Sequence, residues 1–188
     1  FDSVRICRRC GHYVCECGTE NIHYDRCFFA ASYSGESVKN AVLAMKYKKS
    51  ENAAVIFSQR LSELLKKEEH TDIDYIVPVP MNKKKLRKRG YNQSEILAEH
   101  LSELLDIPVR TDLIGKRYSS ETQHSRTAEE RKTAVMTEYF SLDKKLGGEK
   151  ILLCDDIFTT GSTANRCAEL LKDIGASSVT AAVCAAVL

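Results

Sequence analysis

Ile151-Leu152-Leu153-Cys154-Asp155-Asp156-Ile157-Phe158-Thr159-Thr160-Gly161-Ser162-Thr163 is the stretch from which the rest of the chain is read. Its first four residues are apolar and suit a strand buried on both faces, as in a parallel sheet. Two carboxylates, Asp155 and Asp156, follow where that strand is expected to end. Thr159 through Thr163 then supply hydroxyls, a glycine free to take positive φ, and backbone N–H groups converging on a helix start, which together make an anion cradle. A ligand that matches this order of groups carries both a diol and a phosphate.

The residues that follow support the helix. Ala164, Cys167, Ala168, Leu171 and Ile174 recur at helical spacing, and Gly175 is available as the stop. Strand, acidic turn, phosphate loop and helix form half of a βαβ unit, and open α/β sheets bind ligands beyond the carboxyl ends of their strands. The cradle lacks Gly-x-Gly-x-x-Gly and lacks Gly-Lys-Ser/Thr, so it is neither a dinucleotide fingerprint nor a Walker loop. A plain helix cap needs one hydroxyl residue and not this run of them.

These thirteen residues resemble the phosphoribosyl-pyrophosphate (PRPP) signature of type I phosphoribosyltransferases. The resemblance implies that Asp155 and Asp156 hold the ribose 2- and 3-hydroxyls, and that Thr159, Thr160, Gly161, Ser162 and Thr163 hold the 5-phosphate. It implies an α/β fold, a Rossmann-like, parallel-centred sheet with flanking helices. It also implies transfer of ribose-5-phosphate from PRPP with Mg²⁺, releasing pyrophosphate.

A second stretch narrows the family. Ile73 to Val79 reads as a strand that Pro80 ends, and six of the seven residues from Lys83 to Arg89 are basic. A helix restarts at Asn92, a capping residue with Glu95 at the reciprocal position, and Leu97, Leu101, Leu104 and Leu105 give it an apolar face. Val-Pro-Val-Pro, a basic loop, then Arg89-Gly90-Tyr91-Asn92-Gln93 is similar to the ComF (competence protein) branch of the family. By position Pro80, Met81 and Asn82 then map onto the pyrophosphate loop. The basic residues have three compatible readings: a solvated loop, charge compensation for pyrophosphate, and a nucleic-acid contact. In the last, Lys83, Lys84, Lys85, Arg87, Lys88 and Arg89 pair with phosphates while Tyr91 stacks on a base.

Other segments extend the resemblance. ComF proteins carry an Arg, a Thr, a Gln, a Leu, an Arg and an Asn across a mobile segment. The matching positions here are Lys116, Ser120, Gln123, Arg126, Arg131 and Ala134, so Arg126 and Ala134 depart from the pattern. The polar stretch from about 115 to 133 is expected to be a lid or a hairpin tip. Arg89, Lys116 and Arg131 are candidates for neutralising the leaving group. Tyr33-Ser34-Gly35 and Lys46-Tyr47 also match family positions; Lys46 either faces the cleft or is an exposed helix-end lysine.

Residues 1–27 contain Cys7, Cys10, Cys15 and Cys17 with His12 between. Thiolates this close can bind Zn²⁺ tetrahedrally, although the last pair is Cys-x-Cys, and a disulfide pair or unliganded thiols are the alternatives. ComF proteins have a cysteine-rich zinc module at this place, which implies a small N-terminal module ahead of a transferase domain over 28–188. Cys27, Cys154, Cys167 and Cys184 read as small buried hydrophobes.

Composition agrees. One α/β core plus a small appendage fits 188 residues at 43% apolar content, and a net charge of +2 does not by itself demand nucleic acid. Eight cysteines without a signal peptide point to a reducing, cytoplasmic setting, and no apolar run is long enough for membrane insertion. Strands are expected at Phe28 to Tyr33, Lys150 to Asp155 and Ser178 to Leu188, and helices at Glu36 to Tyr47 and Glu51 to Lys67, the latter with Ala54, Phe57, Leu61, Leu64 and Leu65 on one face. No residue identifies the acceptor. Three functional classes follow: a working transferase, a silent PRPP-binding module, and a DNA-uptake factor binding single-stranded DNA beside competence machinery proteins.

Overall fold

The computed structural model describes residues 22–117 and 136–187. Its elements run β1 (Arg26–Ser32), α1 (Glu36–Lys48), α2 (Glu51–Lys67), β2 (Tyr75–Pro78), α3 (Lys83–Arg89), α4 (Gln93–Leu105), β3 (Ile114–Lys116), β4 (Tyr139–Ser141), β5 (Lys150–Phe158), α5 (Ser162–Asp173) and β6 (Ser178–Ala186). β1, β6, β5 and β2 form an all-parallel sheet in that order, with β5 and β6 central. The parallel α/β architecture expected from the sequence is therefore present.

Alternation along β5 divides the core, because neighbouring strand residues face opposite sides of a sheet. Ile151 and Leu153 pack with Val77, Val179, Ala181, Cys167 and Leu171 on the α5 side. Leu152 and Cys154 pack with Ile76, Leu61, Leu97, Leu101 and Met45 under α1, α2 and α4. Burial on both faces is why β5 is apolar without a break from Ile151 to Cys154, and each fully buried Leu or Ile contributes about 1.5–3 kcal/mol. Cys27, Cys154, Cys167 and Cys184 are buried free thiols, as expected. Arg26 and Cys27 belong to β1, where Cys27 pairs with Ala181.

Four details depart from the sequence reading. β5 does not end at the carboxylates but carries them inside the strand and continues to Phe158, since pairing with β6 extends through Ala186. The basic run is a helix rather than a loop. Asn82 caps it by accepting from the Lys85 N–H at 2.8 Å, and Gly90 ends it with φ 83°. Leu104, expected on the apolar face of α4, is 38% exposed, whereas Leu97 and Leu101 are fully buried. Finally, β3 and β4 form an antiparallel pair outside the main sheet, which the sequence reading did not contain.

Candidate functional site

The carboxyl end of β5 places Asp155 and Asp156 on opposite faces. Asp155 accepts from its neighbour's backbone N–H at 2.9 Å and from Ser94 Oγ, at the start of α4, at 3.2 Å. Burial, then the charge of Asp156, pushes the Asp155 carboxyl well above the usual carboxylate range. Asp156 is 6% exposed and turns toward α1, where the Lys46 ammonium lies 2.8 Å from its Oδ2. Lys46 thus faces the cleft. Asp156 Oδ2 has no aligned hydrogen bond, so this buried oxygen is held by charge alone. One lysine on Asp156, with Asp155 half-buried beside it, leaves the pair short of positive charge.

Beyond β5 the chain turns through Thr159 and Thr160, both exposed, to Gly161, which is buried with φ 73° and caps α5. Thr160 Oγ1 and Ser162 Oγ lie 2.8 Å apart. Burial pushes the Tyr139 phenol of β4 up, and Thr163, in the first turn of α5, lies close enough to oppose that shift. The cradle therefore opens at a helix N-terminus, next to the two acids, as the sequence order requires.

Positive charge converges on the same end of the sheet. Pro80, Met81 and Asn82 link β2 to α3, and Val79, just before them, donates its N–H to the Cys154 carbonyl at 2.8 Å. The Lys85 ammonium is held below the usual lysine range by desolvation first, then by the charge of Lys116, with Arg89 and Lys46 adding to the effect against Glu138. Lys85 therefore senses three other cations, from α1, α3 and β3, at this end of the fold. Lys116 is held: its Nζ donates to Tyr139 Oη at 2.7 Å and lies 3.4 Å from Glu138 Oε2. Arg89 donates to Gln93 Oε1 at 2.5 Å and lies over the Tyr47 ring at 5.5 Å.

The outer side of α3 presents Lys83, Lys84, Arg87 and Lys88 to solvent. Tyr91 is half-buried and its hydroxyl accepts from the Lys49 N–H at 2.9 Å, so it braces the α1–α2 junction. The freely presented ring is Tyr47, 71% exposed and beside Arg89. A separate groove of about 370 Å³ near Tyr91 is lined by Glu51, Glu95, Glu99 and Glu103 against Lys49 and His100, and this acidic excess disfavours phosphate.

Arg131, Ser120, Gln123, Arg126 and Ala134 lie outside the described residues, as do Cys7, Cys10, Cys15 and Cys17. Among the described residues no three His, Cys, Asp or Glu side chains cluster to hold a metal, and no helix is long and apolar enough to cross a membrane. The carboxylate pair nevertheless suits Mg²⁺ arriving with a diphosphate, because that ion takes one or two carboxylates plus substrate oxygens rather than a protein cage. Sequence reasoning missed Ser94, Glu138 and Tyr139 as site residues, while the basic run that holds Lys85 was read as pyrophosphate compensation among other roles. The Asn92-Gln93-Ser94 cap was the available signal for Ser94. Tyr139 and Glu138 had none, because their relation to the cradle is purely tertiary.

Comparison with known proteins agrees with this geometry. Residues 86–187 match the family described as Phosphoribosyl transferase domain. The chain is 33% identical over 107 residues to Competence protein F of Haemophilus influenzae, covering 55% of this chain and 46% of that protein. It is 29% identical over 185 residues to DNA utilization protein YhgH of Escherichia coli, covering 93% and 81%. It is 35% identical over 127 residues to Competence protein ComFC of Streptococcus pneumoniae, covering 66% and 52%. The chain thus spans about half the length of the two competence proteins.

Proposed function

We propose, for a chain that belongs to the phosphoribosyl transferase domain family and within it to the ComF-like proteins, that it binds PRPP and transfers ribose-5-phosphate to an acceptor. The observation that carries this reading is the meeting at one sheet end of an acid pair, a hydroxyl-lined helix start and a lysine that senses three further cations.

Each part has a chemical task. Asp155 and Asp156 accept from the ribose hydroxyls across the end of β5. Thr159 through Thr163 donate to the 5-phosphate. Pro80, Met81 and Asn82 form the turn against which the pyrophosphate lies, with Lys85 and Arg89 beside it and Arg131 as a further counter-charge. An acceptor lone pair forms a bond to the anomeric carbon while the bond to pyrophosphate breaks. The carbon gains oxocarbenium character, so positioning and stabilisation of the departing charge supply the catalysis. Mg²⁺, when bound, offsets charge on the pyrophosphate oxygens.

Calorimetry with PRPP, with and without Mg²⁺, tests the site. Asp155→Asn and Asp156→Asn are expected to abolish binding, and affinity unchanged in both removes the assignment. Pyrophosphate release across a panel of bases and amines separates transfer from binding without turnover.

A second reading concerns DNA. Five exposed cations on α3, with the exposed ring of Tyr47 beside Arg89, favour a single-stranded nucleic-acid surface next to the PRPP site. Relatives named for competence and DNA utilization accord with a cytoplasmic role in DNA uptake with competence machinery proteins. Zn²⁺ bound by Cys7, Cys10, Cys15 and Cys17 completes the proposal, since four thiolates are a soft donor set suited to it.

A further inference from the structure

Asn92, Gln93 and Ser94 open α4 just after Gly90 has ended α3. All three are buried, at 2%, 9% and 1% exposure, although each carries a polar side chain. Buried polar groups need partners, and these three take theirs from three different parts of the site. Asn92 Nδ2 donates to the Val79 carbonyl at 3.0 Å, at the entry to the turn of Pro80, Met81 and Asn82. Gln93 Oε1 accepts from Arg89 Nη1 at 2.5 Å, and Ser94 Oγ donates to Asp155 Oδ1 at 3.2 Å.

Two of these bonds restrain groups that otherwise rotate. A carboxylate turns freely about its last torsion, but two donors, Ser94 Oγ and the Asp156 N–H at 2.9 Å, meet Asp155 at the same oxygen and fix that angle. Arg89 has many rotamers, and the Gln93 amide oxygen holds one guanidinium nitrogen while the Tyr47 ring lies 5.5 Å from the guanidinium carbon. The residue types follow from the partners: a guanidinium only donates, so position 93 must accept, and a carboxylate accepts, so position 94 must donate. A helix start asks only for the Asn92 cap, whose Oδ1 accepts from the Ser94 N–H at 3.2 Å. The side chains of Gln93 and Ser94 exceed that need.

We infer that Gln93 and Ser94 are positioning residues for opposite halves of the ligand: Gln93 sets Arg89 for the pyrophosphate, Ser94 sets Asp155 for the ribose, and Asn92 anchors both to the turn after β2. This rests on the reading of the acid pair and the basic helix as the PRPP site. Neighbouring Cα atoms stay about 3.8 Å apart, so one step of chain fixes the spacing between the group that holds the sugar and the group that meets the leaving group. The Asn92-Gln93-Ser94 run thereby has a task beyond starting a helix.

The test uses ribose 5-phosphate and inorganic pyrophosphate as separate probes with the full chain. Ser94→Ala is expected to weaken ribose 5-phosphate about tenfold and to leave pyrophosphate within about twofold, on the scale of one hydrogen bond to a charged group. Gln93→Met, close in shape but without an acceptor, is expected to show the reverse split. In an Arg89→Met background Gln93→Met should cost pyrophosphate nothing more, because the group it holds is gone. Asn92→Ala, which loses cap and anchor together, should weaken both probes and lower the melting temperature. Should the Ser94→Ala protein melt early, Ser94→Thr and Ser94→Val, matched in shape and differing in the hydroxyl, carry the same comparison, and only the valine variant is expected to lose ribose 5-phosphate. Losses shared equally by the two probes in Ser94→Ala and Gln93→Met, or no loss in either, overturn the inference and spare the site. A wild-type protein that binds neither probe overturns both.

Discussion

Gly161→Ala and Gly90→Ala form a matched pair in which the structure separates two costs. Both glycines have positive φ, 73° and 83°, so an L side chain at either pays roughly 1–2 kcal/mol for the left-handed backbone. At Gly90 nothing lies within 4 Å of an added Cβ. At Gly161 that atom would fall 2.6 Å from Phe158 Cζ and 3.2 and 3.3 Å from its Cε atoms. Carbon atoms pack at about 3.5–4.0 Å, so the ring must retreat by about 1 Å. It has little room: Phe158 is 4% exposed and meets Tyr24 and Phe29 edge-on at centroid distances of 6.2 and 5.2 Å. Overpacking of this kind costs about 1–3 kcal/mol. Gly161→Ala is therefore expected to lose about 2–5 kcal/mol and Gly90→Ala about 1–2 kcal/mol, measured by urea unfolding at unchanged m-value. Ribose 5-phosphate binding should fall in the first variant only, because only that turn shapes the cradle. Equal destabilisation in the two variants, or a Gly161→Ala protein that keeps both stability and binding, would refute the argument that Phe158 moulds the loop.

Asp155 gives a pH prediction whose sign is set by its raised folded-state value. The group favours folding while protonated, so its contribution is present below the ordinary carboxylate range and lost as pH rises through the raised folded-state value. Ligand-free protein is expected to lose stability across that window, and Asp155→Asn should flatten the profile; an identical slope in the variant rejects burial of this carboxyl. Replacing Lys83, Lys84, Arg87 and Lys88 by Gln should lower the salt slope of single-strand binding by up to about 3, since each neutralised phosphate contact contributes about 0.7. Tyr47→Ala should weaken that binding by about 1–3 kcal/mol, and Tyr91→Phe should not, which fluorescence anisotropy distinguishes. Metal analysis is expected to find one zinc per chain, lost in Cys7→Ser and Cys10→Ser.

Much of the site was legible because its parts are contiguous. Asp155 to Thr163 is one run of chain, and a strand followed by a hydroxyl-rich turn and a helix can present those groups in only one order. Period-2 and period-3.6 patterning likewise carried the parallel core, since residues buried on both faces of a strand, or on one face of a helix, must be apolar at those intervals. Where β5 ends was less legible: pairing with Val183, Ala185 and Ala186 of β6 carries the strand past both acids, and that partner lies more than twenty residues away in sequence.

What only the tertiary structure decided are contacts between remote residues. Lys46 reaches Asp156 across 110 positions, Tyr139 meets Lys116, and Tyr47 is left in the open while Tyr91 is taken up by Lys49. The physical reason is that a side chain's charge and hydrogen-bonding capacity are local properties, written in its identity. Which group satisfies that capacity depends on how helices and a distant hairpin pack around the sheet, and many sequences with the same local pattern would pack those partners differently.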